Sequence, residues 1–128
     1  MIVSIGTDIC NYDRIEVAWQ RFGDRFVERV LNSAERKDFY AMAKPIRAAY
    51  LCKRFAAKEA VAKALGTGIG EGISWQDIDV RRRKGAAPQV VLAGAAEERA
   101  EKLGVDRIHL SLSDEKDSAL AFVVFESC

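Results

Sequence analysis

In the stretch Ile46-Arg47-Ala48-Ala49-Tyr50-Leu51-Cys52-Lys53-Arg54-Phe55-Ala56-Ala57-Lys58-Glu59-Ala60-Val61-Ala62-Lys63-Ala64-Leu65, no glycine or proline interrupts a run rich in Ala, Lys, Arg, Glu and Leu. Such residues lose little on entering a helix, and Gly66 then offers the left-handed conformation in which many helices end. A helix over Ile46 to Leu65 is therefore predicted. Pro45 precedes it and closes a second helical stretch, Ser33 to about Met42, because proline disfavours helix in the residue before it. Further upstream, Ile15, Trp19 and Phe22 recur at helical spacing and predict a first helix from Asp13 to about Phe22. Ile2 to Ile5 reads as a short opening strand, with Asp8 beyond its end after Gly6.

Downstream the period changes. Ile73 to Arg82 and Gln89 to Leu92 read as strands joined through Gly85 and Pro88, and Ala93 to Leu103 returns to helical composition. Ile108, Leu110 and Leu112 alternate with His109, Ser111 and Ser113, while Ala119 to Phe125 is a more continuously apolar strand. Helices early and hairpin-like strands late imply an α+β fold, an antiparallel sheet with helices packed on it. At 128 residues, 49% hydrophobic and 30% charged, the chain is read as one domain, 1–128.

Composition narrows the function. Lys plus Arg number 20 against 19 Asp plus Glu, so no whole-protein field gathers nucleic acid or an anionic membrane, and any anion site must be local. Cys10, Cys52 and Cys128 form an odd set without a CxxC pair, which is read as free thiols in a reducing compartment; a metal site must then use oxygen ligands. No apolar run reaches the ~20 residues that span a bilayer, and the N-terminus lacks the basic start of a signal peptide, so a cytoplasmic protein is expected.

On the predicted Ile46–Leu65 helix, Phe55, Glu59, Ala62, Lys63 and Gly66 fall on one stripe, setting an acid and a base beside small and aromatic residues. Spacing alone allows a bland alternative, an exposed Glu59–Lys63 pair worth about 0.3–0.5 kcal/mol. Gly66-Thr67-Gly68-Ile69-Gly70 follows a helix instead of leading from a strand into one, which makes a phosphate loop of the Walker kind a poor reading.

The run Arg54-Phe55-Ala56-Ala57-Lys58-Glu59-Ala60-Val61-Ala62-Lys63-Ala64-Leu65-Gly66-Thr67-Gly68 resembles the signature helix of the holo-acyl-carrier-protein synthases, within the phosphopantetheinyl transferase superfamily. Ile5-Gly6-Thr7-Asp8-Ile9 resembles that family's opening motif, and length, motif order and the His109-Leu110-Ser111-Leu112-Ser113 strand resemble its short trimeric branch. The resemblance implies the phosphopantetheinyl transferase fold and transfer of the phosphopantetheine arm of coenzyme A to a serine of an acyl carrier protein. By resemblance, Asp8 and Glu59 hold Mg²⁺, as suits a hard cation that takes oxygen ligands, and Glu59 and Lys63 serve catalysis. Arg54, Lys58, Lys63, Gly66 and His109 are the implied contacts to coenzyme A. His109, the only histidine, points opposite to Ile108 and Leu110, toward a cleft or toward a structural partner.

Arg14, Arg21 and Arg25 fall in a narrow stripe if the first helix continues past Gly23, flanking Ile15, Trp19, Phe22 and Phe26. The resemblance assigns them to an acidic helix of the carrier protein, and by themselves they also fit a solvated face. Arg81-Arg82-Arg83-Lys84 is read as solubilising a hairpin or edge strand, with a secondary role near an anion. Two positions depart from the commonest family pattern: Asp114 stands where many members carry a second histidine, and Gly85-Ala86-Ala87-Pro88 replaces a Gly-Lys-Pro turn. The general base is left unassigned. Besides coenzyme A and the carrier, the expected partner is the chain itself, as a homotrimer with sites between subunits; no nucleic-acid or membrane partner is expected. A nucleic-acid module and a noncatalytic trimeric scaffold are the competing functions.

Overall fold

The computed structural model describes residues 1–128. Strand β1 (Ile2–Asn11) leads into helices α1 (Tyr12–Phe22), α2 (Asp24–Val30), α3 (Ser33–Ala41) and α4 (Lys44–Leu65). A 3-10 turn (Trp75–Asp77), β2 (Ile78–Arg81), β3 (Gln89–Leu92), α5 (Gly94–Leu103), β4 (Arg107–Asp114) and β5 (Ser118–Glu126) complete the chain. The first and last strands meet: the main sheet has the order β1-β5-β4, antiparallel throughout, and β2 pairs with β3 in a separate hairpin. The α+β expectation holds.

Helix α4 is the axis of the molecule. Its alanines at 56, 57, 60 and 64 are buried, and this low-relief face lies against β1 and β5. The approach is close. A Cβ built on Gly6 of β1 would stand 2.0 Å from the Ala60 carbonyl oxygen, and the Ser4 hydroxyl donates to the Ala64 carbonyl at 2.7 Å. β1 runs well past the predicted end at Ile5 because β5 pairs with it through Asn11↔Ser118, so Asp8 sits inside the strand and not beyond it. Pairing overrides the poor strand preference of Asp and Gly.

Other boundaries moved for local reasons. Gly23, at φ 65°, ends α1 and starts α2, which breaks the continuous helix on which the stripe of Arg14, Arg21 and Arg25 was drawn. The strand predicted over Ile73 to Arg82 begins only at Ile78, because Ser74 and Asp77 cap each other's backbone N–H groups and turn Trp75–Asp77 into a 3-10 turn.

Two findings overturn sequence expectations. Cys10 of β1 and Cys52 of α4 form a disulfide, with Cα atoms 5.8 Å apart, and only Cys128 remains a free thiol. Lys58, expected to reach a phosphate, is fully buried: its Nζ donates to the Val30 carbonyl at 2.7 Å and to Glu35 Oε1. Glu35 also accepts from the backbone N–H groups of Asn32 and Val80, so this ion pair fastens α4 to α3 and β2 and leaves no ammonium for a ligand. Burial pushes the Lys58 ammonium below its usual range, against the opposing pull of Glu35.

The main sheet covers α4 with one face. On the other, Ile5, Ile9, Leu120 and Phe122 are exposed together, beside Thr7, Ser111 and His109. In one chain nothing covers this apolar face.

Candidate active site

Asp8 and Glu59 arrive at one place from different elements. Strand alternation turns Asp8 inward with Gly6 and Cys10, and α4 brings Glu59 along the stripe read from the sequence. Both line a cleft of about 310 Å³ whose other walls include Arg14, Phe26 and Phe55. Two carboxylates on one cleft are an oxygen donor set suited to a hard divalent cation, which commonly takes one or two carboxylates and completes its shell with phosphate and water. No group of three or more His, Cys, Asp or Glu side chains gathers anywhere in the chain, this cleft included, so Asp8 and Glu59 are the two protein carboxylates it offers.

The surface pair Glu59–Lys63 does not form. Lys63 Nζ instead donates to Asp8 Oδ1 at 3.1 Å and to the Thr7 carbonyl at 2.9 Å, tying α4 to β1 at the cleft. Glu59 Oε1 accepts from the indole Nε1 of Trp75 at 3.1 Å. Gly66 caps α4 at φ 80°, a left-handed conformation that a side chain would resist, and Arg99 donates to the adjacent Leu65 carbonyl at 3.0 Å.

Beside this cleft lies a second concavity of about 510 Å³, lined by Arg21, Arg25, Arg29, Phe22, Phe26 and Trp75 among others. The break at Gly23 separates Arg21 and Arg25 onto α1 and α2 but leaves both on this groove, whereas Arg14 faces the carboxylates. A charged rim over an apolar floor suits an acidic amphipathic helix.

Arg54 lies elsewhere. It is 8% exposed, its guanidinium stacks 4.6 Å over the Tyr50 ring, and its buried Nε has no partner. It lines a basin of about 580 Å³ with Lys53, Arg82, Arg83 and Lys84, so the basic run from Arg81 faces other cations as well as solvent. Asp114 closes this end by accepting from Lys53 at 2.9 Å, a contact that lowers its pKa. His109 is on the bare face of the sheet, its Nε2 3.0 Å from Glu126 Oε1, and the sheet separates it from α4 and Glu59. In a single chain, therefore, Asp8 and Glu59 share the cleft and Lys63 is tied to Asp8, while Gly66 serves as the helix cap and Arg54 and His109 stand apart.

Reading the sequence missed Trp75, Arg29 and Lys53. Trp75 was hidden by the strand assignment; the Ser74-to-Asp77 capping pattern was the available signal that a turn begins there.

Comparison with known proteins identifies the family. The 4′-phosphopantetheinyl transferase superfamily matches residues 4–123. Holo-[acyl-carrier-protein] synthase of Vibrio vulnificus is 48% identical over 126 residues, covering 98% of both chains. Among solved structures, the holo-[acyl-carrier-protein] synthase of Neisseria meningitidis superposes with a TM-score of 0.90 at 42% identity, over 99% of this chain and all of that one. The Bacillus anthracis enzyme, solved in complex with coenzyme A (3′,5′-ADP), gives a TM-score of 0.82 at 38% identity, covering 100% of this chain and 99% of that one.

Proposed function

The chain belongs to the holo-[acyl-carrier-protein] synthases of the 4′-phosphopantetheinyl transferase superfamily, and from that membership we propose that it transfers 4′-phosphopantetheine from coenzyme A to a serine of an apo acyl carrier protein, releasing 3′,5′-ADP. The observation that carries the reading onto this chain's own residues is the convergence of Asp8 and Glu59 on one cleft beside the arginine groove. In fatty acid biosynthesis the product is the holo carrier.

Asp8 and Glu59 are the residues that would hold Mg²⁺, and the bound ion would supply neutralisation of the negative charge that grows on the departing 3′,5′-ADP. Lys63 orients Asp8 through its ion pair and would add a positive point charge for the phosphates of coenzyme A. The serine oxygen forms a bond to the β-phosphorus as the bond to the ADP oxygen breaks. We assign the serine proton to Glu59 through water, since Glu59 is the cleft carboxylate not held by a lysine. Arg14, Arg21 and Arg25, with Arg29, would receive the acidic carrier helix.

Arg54 and His109, offered as coenzyme A contacts, lie outside the cleft of their own chain, so they reach the same ligand only if another copy supplies them. The exposure of Ile5, Ile9, Leu120 and Phe122 together on one face supports such an assembly, which we take to be a homotrimer by resemblance to the short branch. No helix is long and apolar enough to cross a membrane. By resemblance to the family, and not from the cysteines, we assign the reaction to the cytoplasm.

The test is mass spectrometry of an apo carrier incubated with coenzyme A and MgCl₂. We expect a phosphopantetheine mass increase on the carrier serine that a chelator abolishes, and Asp8→Asn and Glu59→Gln each to lower turnover by at least about 10²-fold. Carrier binding without a mass increase would refute the transferase reading in favour of a scaffold; full turnover in both variants would refute the metal assignment.

A further inference from the structure

Trp75 touches both halves of the site. Its indole N–H donates to Glu59 Oε1 at 3.1 Å, and its ring forms part of the wall of the groove lined by Arg21, Arg25 and Arg29. The ring is held on its other contacts: Phe55 lies at 5.9 Å between centroids, and the Arg29 guanidinium sits 5.9 Å over the ring. Below it the 3-10 turn is pinned by mutual capping of Ser74 and Asp77, and the Asp77 carbonyl accepts from Ala93 at 2.9 Å. The side chain is thus fixed from three directions before it meets Glu59.

A carboxylate on a helix face can turn about its side-chain bonds, and Glu59 has no other hydrogen-bond donor. A fixed donor on one oxygen selects one orientation and leaves the second oxygen free to face the cleft. We propose that Trp75 is a positioning residue that aims the Glu59 carboxylate at the metal and pyrophosphate of coenzyme A, and that through its ring it joins this aim to the surface where the carrier docks. The proposal rests on the transferase reading for the identity of the ligand, but its geometry does not.

Trp75→Phe keeps a ring against Phe55 and Arg29 and removes only the donor. We expect the Mg²⁺ concentration for half-maximal transfer to rise about tenfold, as for loss of one hydrogen bond to a charged group, with KM for the carrier within roughly twofold of wild type. Trp75→Ala removes the groove wall as well, so KM for the carrier should rise too. A binding readout stands apart from turnover. In Trp19→Phe protein, Trp75 is the only indole, and Mn²⁺, a paramagnetic substitute for Mg²⁺, should quench its emission saturably; adding Glu59→Gln should remove the quench. Unchanged metal dependence in Trp75→Phe, or no quench of Trp75 by Mn²⁺, would overturn the proposal. A wild-type protein that fails to transfer but shows the Glu59-dependent quench would overturn the transferase reading and leave the positioning role standing.

Discussion

Replacing Gly6 by alanine puts a methyl group 2.0 Å from the Ala60 carbonyl oxygen and 3.0 Å from the Ala64 nitrogen. Neither neighbour is a flexible side chain; both are backbone of α4. Closest carbon-to-oxygen approaches are about 3.3 Å, so β1 must retreat from the helix by about 1.3 Å. Asp8 is two residues along the same strand on the same face, while Glu59 stays with the helix, so the retreat opens the gap between the two carboxylates. A misplacement of about 1 Å in a reacting constellation costs about 10²-fold in rate, or about 2.7 kcal/mol of barrier. Overpacking adds a separate stability loss of about 1–3 kcal/mol. Urea unfolding gives the second quantity, and phosphopantetheine transfer, measured where the variant is still folded, gives the first. Gly6→Ala protein that turns over within about twofold of wild type would refute the claim that strand–helix contact sets the carboxylate geometry.

Glu35→Ala strands the buried Lys58 ammonium and should cost about 3–5 kcal/mol of unfolding free energy, whereas Lys58→Met should cost less because Glu35 keeps the Asn32 and Val80 N–H donors. The same pair predicts a pH dependence. With its folded pKa below the usual 10.5, Lys58 loses its proton earlier in the folded state than in the unfolded one. The unfolded chain therefore binds more protons between those two values, and wild-type stability relative to Lys58→Met should rise as pH climbs through that window, having been at its lowest below the folded value. Alanine at Arg21, Arg25 or Arg29 should each raise KM for the carrier about two- to fivefold with little change in kcat, as for an exposed charge contact, and the effect should shrink with added salt. A thiol reagent should titrate one cysteine, Cys128, in the folded protein and three after reduction and unfolding; closing a loop with a sequence separation of 42 residues should make the oxidised form more stable by about 4 kcal/mol.

The parts of the site legible in the sequence are those where one element speaks for itself. Helix α4 is long and free of breakers, so its existence, its stop at Gly66 and the shared stripe of Glu59 and Lys63 follow from local preference. Asp8 was found through resemblance, although the strand around it was drawn too short, because β1's extension depends on β5 at the far end of the chain. Lys58 misled for a related reason: α4 is enclosed on several sides, so a cation facing inward cannot be told from one facing out until α3 supplies Glu35. The pairing of Cys10 with Cys52 likewise exists only once β1 lies on α4. Trp75 was lost to a choice of period, a turn taken for the start of a strand.

Strand β1 writes two surfaces in alternate letters. Ser4, Gly6, Asp8 and Cys10 belong to the contact with α4 and the cleft; Ile5, Thr7 and Ile9 belong to the uncovered apolar face. Deleting one residue, such as Thr7, would leave the composition nearly intact yet exchange the two scripts downstream of the gap, sending the Asp8 carboxylate outward and Ile9 into the cleft. The cleft and the uncovered apolar face are therefore interleaved at single-residue spacing, and a frame slip in this strand cannot damage one message while sparing the other.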